Sequence, residues 1–225
     1  MFEEYLIVLK FLGALLAGYL LGSVPFAQLG ARFRGIDIFG VGSRTAGAAN
    51  VFWNIDRGTG LVVMAADVAK GAAAVLVAGM LGLAWPLALL VGGAAVLGHW
   101  KSIFSGFRGG DGMAALVGVA LTLQPVLAIL GLLIGTGALL LSRRSQLRGA
   151  WALSTCFVVM LMVSQYYQID RGMVLGLVAL AILVLLHTMV SWQHRGSTLD
   201  DEELLGLEPE ADQEGDLGPP TPESR

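Results

Sequence analysis

Apolar residues run through this chain in long stretches, which short glycine-rich and basic segments separate. Seven stretches are candidates for membrane-spanning helices: residues 5–24, 60–83, 85–97, 113–123, 126–141, 150–163 and 172–190. Several of them are shorter than the roughly 20 residues that a helix needs for a full crossing. The pattern predicts an all-α, polytopic helical membrane protein.

The apolar stretch from residue 113 to residue 141 has two interpretations. It is either one long helix or a hairpin broken at Gln124 and Pro125. With the hairpin, the basic connections alternate along the chain and all fall on one side of the membrane. The positive-inside rule makes that side cytoplasmic. The charge pattern therefore favours about seven transmembrane helices, with the N-terminus outside, the C-terminus inside and two short helices shielded by protein or by a thin bilayer.

Composition agrees with a membrane protein, because 56% of the 225 residues are hydrophobic and the mean hydropathy is +0.73. Ten of the seventeen acidic residues lie from Asp200 onward, where only Arg225 offsets them. We therefore expect a membrane domain over residues 1–196 and an acidic, disordered cytoplasmic tail over residues 197–225. The single cysteine and the spacing of the three histidines predict neither a cofactor nor a bound metal.

A glycine-rich loop with basic residues, GHWKSIFSGFRGGDGMAA, occupies residues 98–115 between two apolar stretches. Gly109, Gly110 and Gly112 have no Cβ, so the backbone can approach a ligand closely, and the amides that open the next helix attract anions. Asp111 lies in the middle of this loop. Its carboxylate competes with phosphate for the same amides, or else it caps the next helix.

The connection at residues 35–60 is the second segment rich in small residues. Within it, Ser43, Thr45 and Asn50 carry hydroxyl and amide groups that are able to hold phosphate oxygens. The same residue types also serve turns and helix caps. By itself this segment indicates either a phosphate site or a structural loop.

Four ionisable residues lie within or at the ends of apolar stretches: Asp67, Lys70, His99 and His187. Asp67 and Lys70 are three residues apart and share a helix face, so they form either an internal ion pair or a contact to a substrate or ion. Each histidine is a hydrogen-bond donor to phosphate, a base near neutral pH, or a structural residue at the membrane interface.

Six motifs, GSVPF, GIDI, GSRTAGAANV, DVAKG, LGH and FRGGDGMAA, follow one another over roughly the first 120 residues. Their order and spacing resemble the bacterial acyl-phosphate:glycerol-3-phosphate acyltransferases. The resemblance implies a multi-pass enzyme of the bacterial inner (cytoplasmic) membrane that moves an acyl group from acyl phosphate to the 1-hydroxyl of glycerol 3-phosphate, giving lysophosphatidic acid. It implies these two substrates and membrane lipids as partners, with no nucleic acid and no metal.

The resemblance also assigns roles to single residues. Ser43, His99 and His187 are the expected catalytic residues. The expected phosphate-binding set is Arg44, Thr45, Asn50, Arg108, Gly109, Gly110, Gly112 and Arg143, and Asp67 with Lys70 is the intramembrane pair. Arg44 and Thr45 belong to this set by position and chemistry, since they stand where the family has glycine and asparagine.

Several positions depart from the family motifs. Trp53 replaces an arginine, Asp111 a lysine, Gln146 a serine and Val190 an asparagine, and Ala49, Ala115 and Thr188 also differ from the motif residues. Two cations expected to meet substrate phosphate are therefore absent, and an anion stands in place of one of them. The chain is thus either an acyltransferase, with its activity weakened or not, or a non-catalytic membrane paralogue. The paralogue would bind a lipid, an acyl-phosphate-like ligand or a partner enzyme.

Overall fold

The computed structural model describes residues 2–142, 145, 148–167 and 170–204, and the regular elements in these ranges are helices. In chain order they are α1 (Phe2–Ser23), α2 (Phe26–Arg32), α3 (Ala48–Asn54), α4 (Arg57–Met80), α5 (Trp85–Trp100), a 3-10 turn (Ile103–Ser105), α6 (Met113–Leu123), α7 (Pro125–Leu141), α8 (Arg148–Tyr167) and α9 (Arg171–Leu204). The prediction of an all-α membrane protein is confirmed.

Five described segments are long and apolar enough to cross a membrane: Phe2–Arg32, Arg57–Met80, Trp85–Ser105, Arg148–Tyr166 and Arg171–Gln193. α6 and α7 are apolar but shorter. The chain leaves the helix at Gln124, where φ is −139° and ψ is 67°, and Pro125 then opens α7. Proline is tolerated at a first helical position because its missing N–H would have no helical partner there. Residues 113–141 are therefore two helices rather than one.

Small residues allow the long helices to pack closely. A Cβ at Gly22 of α1 would collide with the carbonyl oxygen of Ala95 in α5, and one at Gly71 of α4 with that of Ala115 in α6. Lipid tails are as apolar as the side chains, so helices in a membrane gain little from apolar burial and depend on such close contact. These contacts place α1, α4, α5 and α6 around the polar loops.

The first connection has a small hydrophobic core of its own. It consists of Ala27, Ala31, Ile38, Ala46, Val51 and Val63, contributed by α2, the loop, α3 and α4. Asp56 then caps α4, since its carboxylate accepts a hydrogen bond from the backbone N–H of Thr59 at 2.6 Å. The loop is thus held at both ends.

The chain divides into two units, Met1–Thr188 and Met189–Arg225. The first unit contains the helices from α1 to α8 and most of α9. In the second unit, α9 continues to Leu204, so the predicted domain boundary between residues 196 and 197 falls within this helix. Residues 205–225 lie outside the described residues, and the disordered tail stays a prediction.

Candidate active site

Asn50 organises the first loop. It lies in the first turn of α3 and is 3% exposed. Its Nδ2 lies within hydrogen-bond distance of the carbonyl oxygens of Ile38, Val41 and Thr45, at 3.2, 3.1 and 3.0 Å. Its Oδ1 accepts the backbone N–H of Ser43 at 3.2 Å. Both ends of the Asn50 side-chain amide therefore hold the loop in its conformation. The contact between Asn50 and phosphate stays a prediction.

Two hydroxyl groups meet at the tip of this loop. Ser43 Oγ and Thr45 Oγ1 are 2.8 Å apart, and Ser43 is exposed. Arg44 between them has φ of 53°, a left-handed conformation that is uncommon outside glycine. The tight turn at Arg44 brings the two hydroxyls together, and their predicted role in binding a ligand stays a prediction.

The first loop and the glycine loop are in direct contact. The backbone N–H of Ala46 donates to the carbonyl oxygen of Gly109 at 3.2 Å, and the N–H of Gly110 donates to that of His99, also at 3.2 Å. A Cβ at Gly110 would lie 2.5 Å from His99 Nε2 and 2.6 Å from the carbonyl oxygen of Ala46. The structure therefore brings together the two motif loops that the sequence analysis singled out separately.

A buried ionic cluster lies beneath this contact. Lys70 Nζ is 2.8 Å from Asp67 Oδ1 and donates to the carbonyl oxygen of Val24 at 3.1 Å. His99 Nδ1 is 3.7 Å from the same carboxylate oxygen, and all three side chains are buried. Asp67 and Lys70 therefore form an ion pair in the structure, and a contact of either residue with a substrate or ion stays a prediction. The cluster connects α4 with His99, whose other nitrogen faces Gly110.

Arg108 lies between two openings at the surface. It borders the small cavity above the ionic cluster, and it also borders an open cleft of about 480 Å³. The other residues of the cleft are Gln28, Arg32, Gly35, Ile36, Asp37, Phe39 and Ser105. Arg108 Cζ lies 3.7 Å from the centroid of the Phe39 ring. This stacking engages the face of the guanidinium plane and leaves the N–H donors along its edge unused by the ring.

Trp100, the last residue of α5, was not among the candidate site residues predicted from the sequence. Its Nε1 donates to the carbonyl oxygen of Asp111 at 2.9 Å. Its ring stacks on His187, with centroids 4.3 Å apart and planes 11° from parallel. Trp100 thereby links the glycine loop to α9. The sequence feature that could have indicated this role is the position of Trp100 directly after His99, within the glycine-rich segment at residues 98–115.

Asp111 does not occupy the N-cap of α6. That position belongs to Gly112, which has φ of 83°. The helix-capping interpretation of Asp111 is therefore wrong.

The other motif departures fall at different places. Trp53 is 53% exposed on α3, and Arg148 Cζ lies 4.1 Å from its ring centroid. Val190 is exposed on α9. Arg143 and Gln146 lie outside the described residues. Among the residues that are described, no three His, Cys, Asp or Glu side chains are grouped so as to hold a metal ion.

These features define a multi-pass helical membrane protein with a polar site built where two loops meet. The family model for glycerol-3-phosphate acyltransferase matches residues 12–199. Glycerol-3-phosphate acyltransferase 1 of Deinococcus radiodurans is 38% identical over 185 residues, which are 81% of this chain and 87% of that protein. The chain therefore belongs to the glycerol-3-phosphate acyltransferase family, as its motifs predicted.

Other relatives match a shorter part of the chain. The glycerol-3-phosphate acyltransferase of Thermus thermophilus is 47% identical over 133 residues, which are 57% of this chain and 65% of that protein. The match to the enzyme of Geobacter sulfurreducens is 45% identical over 119 residues, 52% of this chain and 61% of the relative.

Solved structures show the same fold. PlsY (YgiH), described as an integral membrane glycerol 3-phosphate acyltransferase, aligns in its glycerol 3-phosphate form with a TM-score of 0.66 and 29% identity, covering 88% of this chain and 94% of that one. Its lysophosphatidic acid form aligns with a TM-score of 0.65 and 28% identity, covering 88% and 93%.

Proposed function

We propose that this protein transfers an acyl group from an acyl phosphate to the 1-hydroxyl of glycerol 3-phosphate. The observation that carries the proposal is the contact between Ala46 and Gly109, which joins the hydroxyl-bearing first loop to the glycine loop. In the reaction, the hydroxyl oxygen bonds to the carbonyl carbon as the bond from that carbon to the phosphate oxygen breaks. Phosphate leaves with the electron pair and the hydroxyl proton, and lysophosphatidic acid is formed.

Such a site needs no strong protein nucleophile, because an acyl phosphate is already an activated mixed anhydride. Catalysis then rests on positioning two anionic substrates and stabilising the departing phosphate. We assign the phosphate contacts to the paired hydroxyls of Ser43 and Thr45, to Arg108 and to the glycine-loop amides. His99 positions the loop from beneath, and His187 acts through its contact with the Trp100 ring.

We further propose that both loops face the cytoplasm of a bacterium, in its inner membrane. The support is the alternation of basic connections along the chain. With α6 and α7 counted as crossings, seven helices span the bilayer, the N-terminus is outside and the C-terminus inside. The two short helices would be accommodated by protein neighbours or by a thinner bilayer.

The test is acyl transfer by purified, detergent-solubilised protein, with palmitoyl phosphate and labelled glycerol 3-phosphate as substrates. Ser43→Ala is the matched blank, and thermal unfolding checks that both proteins are folded. We expect labelled lysophosphatidic acid from the wild type and much less from Ser43→Ala. If folded wild-type protein gives no product, the result favours the non-catalytic paralogue. The replacement of two motif cations is the observation that supports this alternative.

Asp111 provides a second test of the same site. A like charge about 4 Å from phosphate costs on the order of 4 kcal/mol at an effective dielectric constant near 20, which is an upper limit for a half-buried group. We therefore expect Asp111→Lys to raise kcat/KM at least about tenfold. Asp111→Asn, which removes only the negative charge, should give an intermediate gain. Unchanged kinetics in both variants would show that this carboxylate does not face the phosphate.

A further inference from the structure

Arg148 and Trp53 form a contact that joins two distant parts of the chain. Arg148 is the first residue of α8, and Trp53 lies in the last turn of α3. The guanidinium carbon is 4.1 Å from the centroid of the indole ring, well inside the range of a cation–π interaction. The exposed indole ring is thus a platform for a cation from another helix.

The neighbours of this contact place it between the two loops. Trp53 lies one turn beyond Asn50, which shapes the first loop. On the other side, a Cβ at Gly149 would lie 3.3 Å from the sulfur of Met113, and Met113 directly follows Gly112 of the glycine loop. Arg148 therefore lies where the ends of both loops approach α8.

The chemistry of this guanidinium suits a phosphate group. In the described part of the chain, the side chain of Arg148 stacks on Trp53 but makes neither a hydrogen bond nor a salt bridge. Stacking uses the face of the guanidinium plane, so the N–H donors along its edge remain available. Their planar fork matches two phosphate oxygens at once.

From this arrangement we infer that Arg148 is a phosphate-binding residue of the acyl-transfer site and that Trp53 holds it there. Position 53 is a motif position at which this chain lacks the family's arginine. An indole cannot carry that charge itself, but it fixes a charge that α8 supplies. The inference rests on the proposed function. It applies to a phosphate group, which both the acyl phosphate and glycerol 3-phosphate contain.

Arg148→Gln tests the inference, because it removes the charge but keeps a planar, polar side chain. We expect KM for one substrate to rise about 10- to 100-fold, the loss expected for one charge-assisted phosphate contact, while kcat changes less. The substrate whose KM rises identifies the phosphate that Arg148 binds. Arg171→Gln is the matched control, since Arg171 also opens a helix, α9, and we expect its kinetics to match the wild type.

The double variant Arg148→Gln/Trp53→Arg separates a charge contact from a structural one. It returns a cation to position 53, so we expect it to recover a substantial part of the lost affinity. A purely structural role for the stacked pair predicts no recovery, and that result would overturn the inference. KM values within twofold of the wild type for both substrates in Arg148→Gln would also overturn it.

Direct binding distinguishes failure of this inference from failure of the proposed function. Glycerol 3-phosphate and inorganic phosphate are each titrated into wild-type protein and Arg148→Gln, and the rise in unfolding temperature is measured. Weaker binding in the variant supports the phosphate contact, even if the wild type shows no turnover. If Arg148→Gln binds each ligand as tightly as the wild type does, the role of Arg148 is refuted. When the wild type is active in the transfer assay, that result leaves the proposed acyl transfer intact.

Discussion

Replacing Gly110 by alanine tests the contact between the two loops most directly. The added methyl carbon would lie 2.5 Å from His99 Nε2 and 2.6 Å from the carbonyl oxygen of Ala46, so the loops must move apart. Gly110 is not among the residues with positive φ, and the cost is therefore steric rather than torsional. Overpacking of this kind costs about 1–3 kcal/mol. Part of the strain falls on backbone atoms, which cannot rotate away.

This strain becomes a loss of activity if the transition state requires both loops in place. One to three kcal/mol then corresponds to a decrease in kcat/KM of about fivefold to 150-fold. The assay is the transfer of palmitoyl phosphate to labelled glycerol 3-phosphate, combined with thermal unfolding to show that the helices remain folded.

Gly40→Ala is the matched control for Gly110→Ala, because a Cβ at Gly40 meets only the carbonyl oxygen of Asp37 at 3.5 Å. We expect this control to retain wild-type activity. If Gly110→Ala also keeps kcat/KM within twofold of the wild type, the contact between the loops is not needed for catalysis.

Two further predictions concern buried and capping charges. Asp67→Ala leaves the buried ammonium of Lys70 without its partner, which should cost about 3–5 kcal/mol of stability. The double variant Asp67→Leu/Lys70→Met removes both charges and should lose much less. Unfolding temperatures in detergent compare the two variants, and equal losses of stability would contradict the ion pair. Hydrogen bonds from the Thr59 side chain and backbone, together with nearby Arg34, hold the pKa of Asp56 below its ordinary value of 3.8. A carboxylate with a depressed pKa stabilises the fold fully at pH values above its unfolded-state pKa of about 4. This stabilisation is lost as the pH falls through the folded-state pKa. The gap in unfolding temperature between wild type and Asp56→Ala should therefore be constant above about pH 5 and close in stronger acid, and a gap that persists there would refute the capping role.

The two shorter apolar helices could be predicted closely from the sequence, whereas α9 extends to Leu204, well beyond the expected stretch at residues 172–190. The expected stretch at residues 113–123 coincides with α6, and the expected stretch at 126–141 differs from α7 by one residue. Length of an apolar run and the position of proline are local properties, so neighbouring residues suffice to read them. The membrane class follows from the same local information.

The short helices and the loop geometry were not predicted, because they depend on distant contacts. α2 and α3 have seven residues each and are stabilised by the small core beneath the first loop. The pattern of the sequence does not reveal that Trp100 stacks on His187 or that Arg148 lies over Trp53. Tryptophans near helix ends are common interface anchors in any membrane protein, so their position alone does not distinguish a role in the site.

The arginines near the site show how a chain with altered motifs keeps positive charge at its loops. Arg34 donates to Asp56 at 3.0 Å, so its charge is partly balanced by an acid. Arg108 and Arg148 instead stack on Phe39 and Trp53, and an aromatic ring fixes a guanidinium without neutralising it. On the inference drawn above, Arg148 stacked on the aromatic ring at position 53 supplies the cation that the family motif places there.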